Sequence, residues 1–366
     1  MSKKGIKMLK GIKVIDFSKW LPGQYCGMML GDFGAEVIKV ENPKGDEPRR
    51  FRPQKAENMS YWHMMLNRNK RDVTIDIKTA EGVTKLKKLL QHADVFLEGF
   101  RPGYLKLYGL DYDSVKAINP NLVYVSITGF GQKSHKPAHD MNVVGMAALT
   151  CTDGGQSVAV PEIQMSALGA GTNAFAAICM ALLNRERNGG GKYIDVSLYA
   201  TAMNLEVTQI AAHYGCKEKH EQPFSRFTHY YNVYRCKDGR YLTVGTLEPK
   251  FWQELCNLLE LPELLSRQFD FEHEKELIEI IGKKFATKTQ QEWLAEIGDR
   301  DFCVTPVCNL QEALASRLTQ EQNILQTVED KEYGTLHYVG YPFKISDYEK
   351  KTPRRAEKLG ESNDKI

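Results

Sequence analysis

Short apolar runs alternate with amphipathic stretches along residues 10 to 130. Lys13-Val14-Ile15-Asp16-Phe17 predicts a buried strand, Tyr25 to Asp32 a helix after Gly23, and Glu36 to Val40 the next strand. Val73 to Ile77 predicts another strand, and Thr79-Ala80-Glu81 opens a helix that runs to about His92. Asp94 to Phe100 and Leu122 to Thr128 complete the series. Strands and helices alternating at this spacing define an α/β chain with a parallel sheet and crossover helices. Such sheets bind ligands at the carboxyl ends of their strands, so the turns after Val40, Ile77, Phe100 and Thr128 are the first places to look for a site.

Ala167 to Leu183 is apolar nearly all round and predicts a buried helix. Gly189-Gly190-Gly191 stops it, and Tyr193 to Leu198 returns to a strand, an order opposite to that of a phosphate-binding loop. The pattern then changes. Residues 203 to 240 are polar and aromatic, with Lys217-Glu218-Lys219-His220-Glu221 a solvated segment. Tyr241 to Thr246 predicts a strand, followed by amphipathic helices over Phe251 to Leu259, Glu274 to Phe285 and Gln290 to Ile297. The expected organisation is a Rossmann-like parallel-sheet large domain from residues 1–200 and 318–366, with a smaller α+β domain and its linkers from 201–317. The charged tail from Glu349 is expected to wrap or fray.

The length of 366 residues suits two domains. A net charge of +3 gives no reason to expect nucleic-acid binding, though a local basic pocket for an anionic cofactor remains compatible with it. The longest apolar run, Ala174 to Leu183, is too short to span a membrane. No apolar signal core follows Met1-Ser2-Lys3-Lys4, so a cytoplasmic location is expected. The eight cysteines are dispersed without metal-site spacing, which predicts free thiols and no metal.

Lys39, Asn69, Lys70, Arg71, Lys78, Arg101 and Lys106 fall near predicted strand ends, where cations and amides suit phosphates. Alternatively they are solvated surface charges, with Arg71 structural. Ser166 precedes the Ala/Gly-rich helix and is expected to be its N-cap. It has no Gly-x-Ser-x-Gly elbow to make it a nucleophile.

Several segments together carry a family resemblance. Gly11 to Phe17, Pro22-Gly23, Leu30 to Glu41, Asn67 to Arg71, Asp76-Ile77-Lys78 and Glu98-Gly99-Phe100-Arg101-Pro102-Gly103 resemble the family III (CaiB/BaiF) CoA-transferases. Asn119 to Tyr124, Gly129 to Gln132, Gly191 to Leu198 and Leu359-Gly360-Glu361 fit the same pattern. That family includes the α-methylacyl-CoA racemases. The resemblance implies an interlocked homodimer and an acyl-CoA substrate, with coenzyme A as its carrier. It implies adenine near Ile75, Asp76 and Lys78, and further CoA contacts from Lys39, Asn69, Lys70, Arg71, Arg101, Ala138 and Asn142.

His139-Asp140-Met141-Asn142 and the Glu248-Pro249 pair resemble the racemase branch. By that resemblance His139 is a base, Glu248 supports it, and Asp140 belongs to the catalytic segment. The departure is Ser166, which stands where racemases carry an aspartate; Asp153 and Glu162, the nearby acids, do not match its offset. Removing a proton α to a thioester needs a positioned base and hydrogen bonds to the enolate oxygen. A neutral imidazole is the suitable base near neutral pH. Ser166 is expected to donate to the enolate or to hold a proton-delivering water. Three readings remain open: racemisation or epimerisation of a 2-substituted acyl-CoA, CoA transfer with a changed nucleophile, and acyl-CoA binding with little activity.

Overall fold

The computed structural model describes residues 8–152, 157–215, 228–348 and 352–366. The strands are β1 (Lys13–Phe17), β2 (Glu36–Glu41), β3 (Gln54–Ala56), β4 (Met59–Ser60), β5 (Lys70–Thr74), β6 (Val95–Glu98), β7 (Val123–Thr128), β8 (Cys151–Thr152), β9 (Ser157–Val158), β10 (Tyr193–Ser197), β11 (Tyr231–Arg235), β12 (Tyr241–Gly245), β13 (Val304–Pro306), β14 (Leu325–Asp330) and β15 (Gly334–Val339). The helices used below are α1 (Leu21–Asp32), α2 (Tyr61–Asn67), α3 (Ala80–Gln91), α4 (Tyr112–Ile118), α5 (Asp140–Met146), α6 (Met165–Asn188), α7 (Leu198–Leu205), α8 (Val207–Gly215), α9 (Pro249–Leu259), α10 (Glu274–Phe285) and α11 (Gln290–Ile297).

The chain divides into two compact units. The first comprises residues 1–150, 160–206 and 321–366; the second comprises 151–159 and 207–320.

The first unit is built on six strands in the order β5-β2-β1-β6-β7-β10, all parallel. Chain order reverses between β1 and β6, which opens a crevice at their carboxyl ends. Successive side chains of a strand face opposite sides. Val14, Val37, Val95, Val123 and Val125 therefore pack against α1 and α6. Ile15, Ile38, Val40, Phe96 and Tyr124 pack on the other face against α3 and α4. Helix α6 is long and apolar enough, by length and composition alone, to cross a membrane. Here Ala170, Ala174 and Ile178 bury its inner face. Gly171 sets how near α1 comes, since a Cβ there would lie 2.6 Å from the Pro22 carbonyl oxygen.

The second unit packs the antiparallel strands β11-β12-β13 against α9, α10 and α11. Its largest buried side chains, Trp252 and Trp293, donate their indole N–H groups to the carbonyls of Leu264 (3.1 Å) and Phe285 (2.8 Å).

One local expectation is corrected. The strand expected at Val73 to Ile77 runs over Lys70–Thr74 instead. Its first half carries Lys70 and Asp72, which read as surface but are buried against Asp16 and Arg49. The polar stretch expected between residues 203 and 240 contains α8 and β11; Lys217 to Glu221 lies outside the described residues. The tail packs on the outer edge of β5. Ser362 N donates to the Asp72 carbonyl (2.9 Å), Thr74 N to Asn363 Oδ1 (2.9 Å) and Asp72 N to Glu357 Oε2 (2.8 Å). Cys26, Cys179, Cys236, Cys256, Cys303 and Cys308 are free thiols.

Beneath the sheet's carboxyl end lies a buried ion network. Lys70 Nζ donates to Asp16 Oδ2 (2.8 Å), the Gln24 carbonyl (2.9 Å) and Asn67 Oδ1 (3.0 Å). Lys39 Nζ donates to the Ser18 carbonyl and to Asp46 Oδ2. Arg49 joins Glu41 (2.9 Å) to Asp72 (2.8 Å). One guanidinium between two carboxylates leaves an excess negative charge. Burial and the charge on Glu41 push the Asp72 carboxyl well above the usual carboxylate range.

A buried pair adds little net stability when whole, but removing one partner strands the other charge. Lys70→Ala is expected to cost about 3 to 5 kcal/mol in chemical denaturation, whereas the double change Asp16→Asn, Lys70→Met costs markedly less.

Candidate active site

The crevice at the switch point is a cavity of about 510 Å³. The β1–α1 turn contributes Ser18 to Gly23, and the β6 turn contributes Gly99 to Pro102. The β7–α5 loop adds Thr128, Gly129, Ser134 and Lys136 to Met141, and the approach to α6 adds Ile163, Gln164 and Ala167.

The buried network fixes the first of these walls. Asp16 Oδ1 accepts from Ser18 N (3.1 Å) and Ser18 Oγ (2.5 Å), while Lys39 holds the Ser18 carbonyl. Burial alone would raise the Asp16 carboxyl, but Lys70 and Lys39 outweigh it and keep it ionised. An aromatic wall follows, with Trp20, Phe51 and Trp62 each 6.0 Å from the next between ring centroids.

His139 is the N-cap of α5, and its main-chain N–H donates to Asn142 Oδ1 (3.0 Å). Its exposed ring stands edge-on to Trp20, with centroids 5.2 Å apart. Gly129 keeps this segment close to β7, since a Cβ there would meet the Ala138 Cβ at 2.6 Å. Asp140 turns the other way. Its Oδ1 accepts from Ser166 Oγ (2.6 Å) and Ala167 N (2.9 Å), in the first turn of the 24-residue α6. Imidazole and carboxylate thus address different walls of one cavity.

Ser166 is fully buried, and the helix begins at Met165 with Gln164 as N-cap. Ser166 is therefore not the N-cap. It lies beneath Asp140, whose carboxylate caps the helix from another element. That relation spans 26 residues, so no local spacing signals it.

The expected CoA residues divide into two groups. Lys39 and Lys70 are corrected: each is almost wholly buried, with its ammonium committed to Asp46 or Asp16, and neither can face a phosphate. Asn69 and Arg71 sit at the amino end of β5, on the side opposite the crevice. Asn69 bonds Asp32 (2.7 Å) and the Arg354 main chain (2.9 Å), and Arg71 pairs with Glu36 (3.3 Å).

Ile75, Asp76 and Lys78 do lie at the carboxyl end. With Lys19, Asn42, Phe100 and Tyr104 they line a cavity of about 350 Å³. Lys19 and Phe100 also line the larger cavity, so the two share a wall. Arg101 and Ala138 line the large cavity; Asn142 acts on the backbone of His139. Arg101, with Lys106, also borders a third cavity of about 260 Å³. Glu248 belongs to the second unit, where it is exposed and precedes α9. Asp153 lies outside the described residues. No cluster of potential metal ligands occurs among the described residues.

Sequence reasoning missed Lys19 and the aromatic wall. Only the position of Lys19 and Trp20 directly after a predicted strand could have signalled them.

An open parallel sheet with basic and aromatic side chains around its switch-point crevice is an α/β architecture that places a ligand site at its strand ends. The chain belongs to CoA-transferase family III, matched over residues 9–363. It is 30% identical to the succinyl-CoA:glutarate CoA-transferase of Mus musculus, over 97% of this chain and 85% of that one. It is 31% identical to the Mus musculus alpha-methylacyl-CoA racemase, over 86% of this chain and 81% of that one. The crystal structure of Rv3272 from M. tuberculosis superposes with a TM-score of 0.86 at 27% identity, covering 99% of both chains.

Glu98, at the end of β6, is nearly buried and accepts from Ser126 Oγ and Phe100 N (2.8 Å). Burial pushes its carboxyl up to about 7. The folded chain thus holds this proton more tightly than the unfolded chain. The associated stability is full below the ordinary carboxyl range and is lost as pH rises through about 7. Relative to Glu98→Gln, the parent should lose about 3 kcal/mol between pH 4 and 8, measured by urea denaturation across pH.

Proposed function

We propose that the chain acts on a 2-substituted acyl-CoA and racemises or epimerises it by removing the proton α to the thioester, with His139 as base. The observation that supports this most is a single cavity at the switch point in which one imidazole and one carboxylate address different walls. A proton leaves one face of the α-carbon and returns on the other, so bases on separate walls suit the reaction.

In this reading coenzyme A lies along the strand ends, its nucleotide near Ile75, Asp76 and Lys78 and its phosphates near Lys19 and Arg101. The acyl thioester enters the larger cavity between the aromatic wall and α6. Leu21 and Gly23 line that cavity at the start of α1, where first-turn N–H groups lack intrahelical acceptors. They suit an enolate oxygen. The Trp62 indole N–H, buried without an acceptor among the described residues, suits another substrate oxygen. The exposed Met146, Met180 and Leu183 of the first unit support assembly as a homodimer, to be checked by sedimentation.

The second reading is CoA transfer between carboxylic acids. The match to the mouse succinyl-CoA:glutarate CoA-transferase favours it, because it spans 97% of the chain.

Deuterium uptake separates the two readings. In D₂O a 2-methylacyl-CoA should gain α-deuterium with the parent chain. In the enantiomer whose α-proton faces the imidazole, His139→Ala should slow that uptake by about 10² to 10⁴-fold while acyl-CoA affinity changes little, because a base acts in the transition state. CoA exchange between two acids without α-deuterium would establish the transferase reading instead. Arg101→Ala is expected to weaken CoA binding by about 1 to 3 kcal/mol in calorimetry, the cost of losing one charged hydrogen bond.

A further inference from the structure

His139 and Asp140 are the only imidazole and the only carboxylate among the described residues that line the large cavity. A serine occupies the position where the racemase resemblance implies an aspartate, yet a carboxylate still stands at the start of α6. It reaches that place from the neighbouring α5. Ser166 itself does not line the cavity and is fully buried.

We infer that Asp140 is the second acid–base group of the α-carbon reaction, and that Ser166 is its positioning residue. The inference rests on the isomerase reading given above.

The hydrogen bonds say where the proton goes. Oδ1 of Asp140 is engaged by two donors, Ser166 Oγ at 2.6 Å and Ala167 N at 2.9 Å. A carboxyl proton placed on Oδ1 would compete with both. Oδ2, which has no donor among the described residues, is left to carry it. Pinning one oxygen fixes which oxygen is acidic and how the group is aimed.

The step then balances. His139 takes the α-proton, and the C–H electron pair becomes the enolate. Asp140 Oδ2–H gives its proton to the opposite face of the α-carbon, the enolate electrons form the new C–H bond, and an imidazolium and a carboxylate remain. The reverse passage, starting from the other enantiomer, restores the first protonation state.

Purified enantiomers of a 2-methylacyl-CoA in D₂O test this. Asp140→Asn keeps an oxygen acceptor for Ser166 and Ala167, so the start of α6 is preserved. Retained acyl-CoA binding and an unchanged circular dichroism spectrum check the fold.

In Asp140→Asn, inversion should fall by roughly hundredfold or more, while the enantiomer whose proton faces His139 still exchanges with retention. His139→Ala should show the mirror result, with exchange only in the other enantiomer. Ser166→Ala should lower kcat for inversion about tenfold with KM nearly unchanged, and Ser166→Thr should restore it by returning the hydroxyl.

Inversion in Asp140→Asn within about threefold of the parent would overturn the inference while leaving the isomerase reading intact. A parent chain that binds acyl-CoA but exchanges neither enantiomer would overturn that reading, and the inference with it.

Discussion

The site depends on two lysines that never reach it. Lys70 reaches from the amino end of β5, and Lys39 from within β2, to clamp the end of β1 and the turn that follows it. Their partners are Asp16, Asp46 and the carbonyls of Ser18 and Gln24. A turn carrying Lys19 and Trp20 to the rim of a cavity needs its backbone held from below. An apolar support could fill the space but could not hold the carbonyls. Intact buried ion pairs add little net stability, and here their ammonium groups hold the backbone of the turn.

The same feature explains which parts of the molecule were legible. Strands β1, β2, β6 and β7 are apolar runs bounded by turns, and their places follow from the sequence almost to the residue. Strand β5 does not, because Lys70 and Asp72 look like surface charges. Nothing in the local pattern reveals that Asp16 and Arg49, 54 and 23 positions away, compensate them. The same blindness moved Lys39 and Lys70 into the expected phosphate site, whereas Lys78 and Arg101, beyond the strand ends, do face cavities.

The His139-Asp140 segment was legible as a motif and not as an arrangement. His139-Asp140 could be singled out from its neighbours in sequence. That Asp140 supplies the carboxylate at the start of α6 depends on two helices meeting end to end, which periodicity does not encode. Ser166 shows the cost of a local reading. A serine before an apolar helix suggests a cap, yet its hydroxyl serves a carboxylate from another element. The Ser–Asp bond and the clamp under β1 are two versions of one device, a buried polar contact that aims a residue on the cavity wall.

The segment from Glu357 to Asn363 takes up the outward N–H groups of Asp72 and Thr74, on the last strand of the sheet. An unpaired parallel edge of this kind is a template for recruiting strands from other molecules. By covering it with side-chain acceptors and one main-chain donor rather than with a seventh strand, the chain ends the sheet without creating a new edge. Self-association through β5 is thereby closed off.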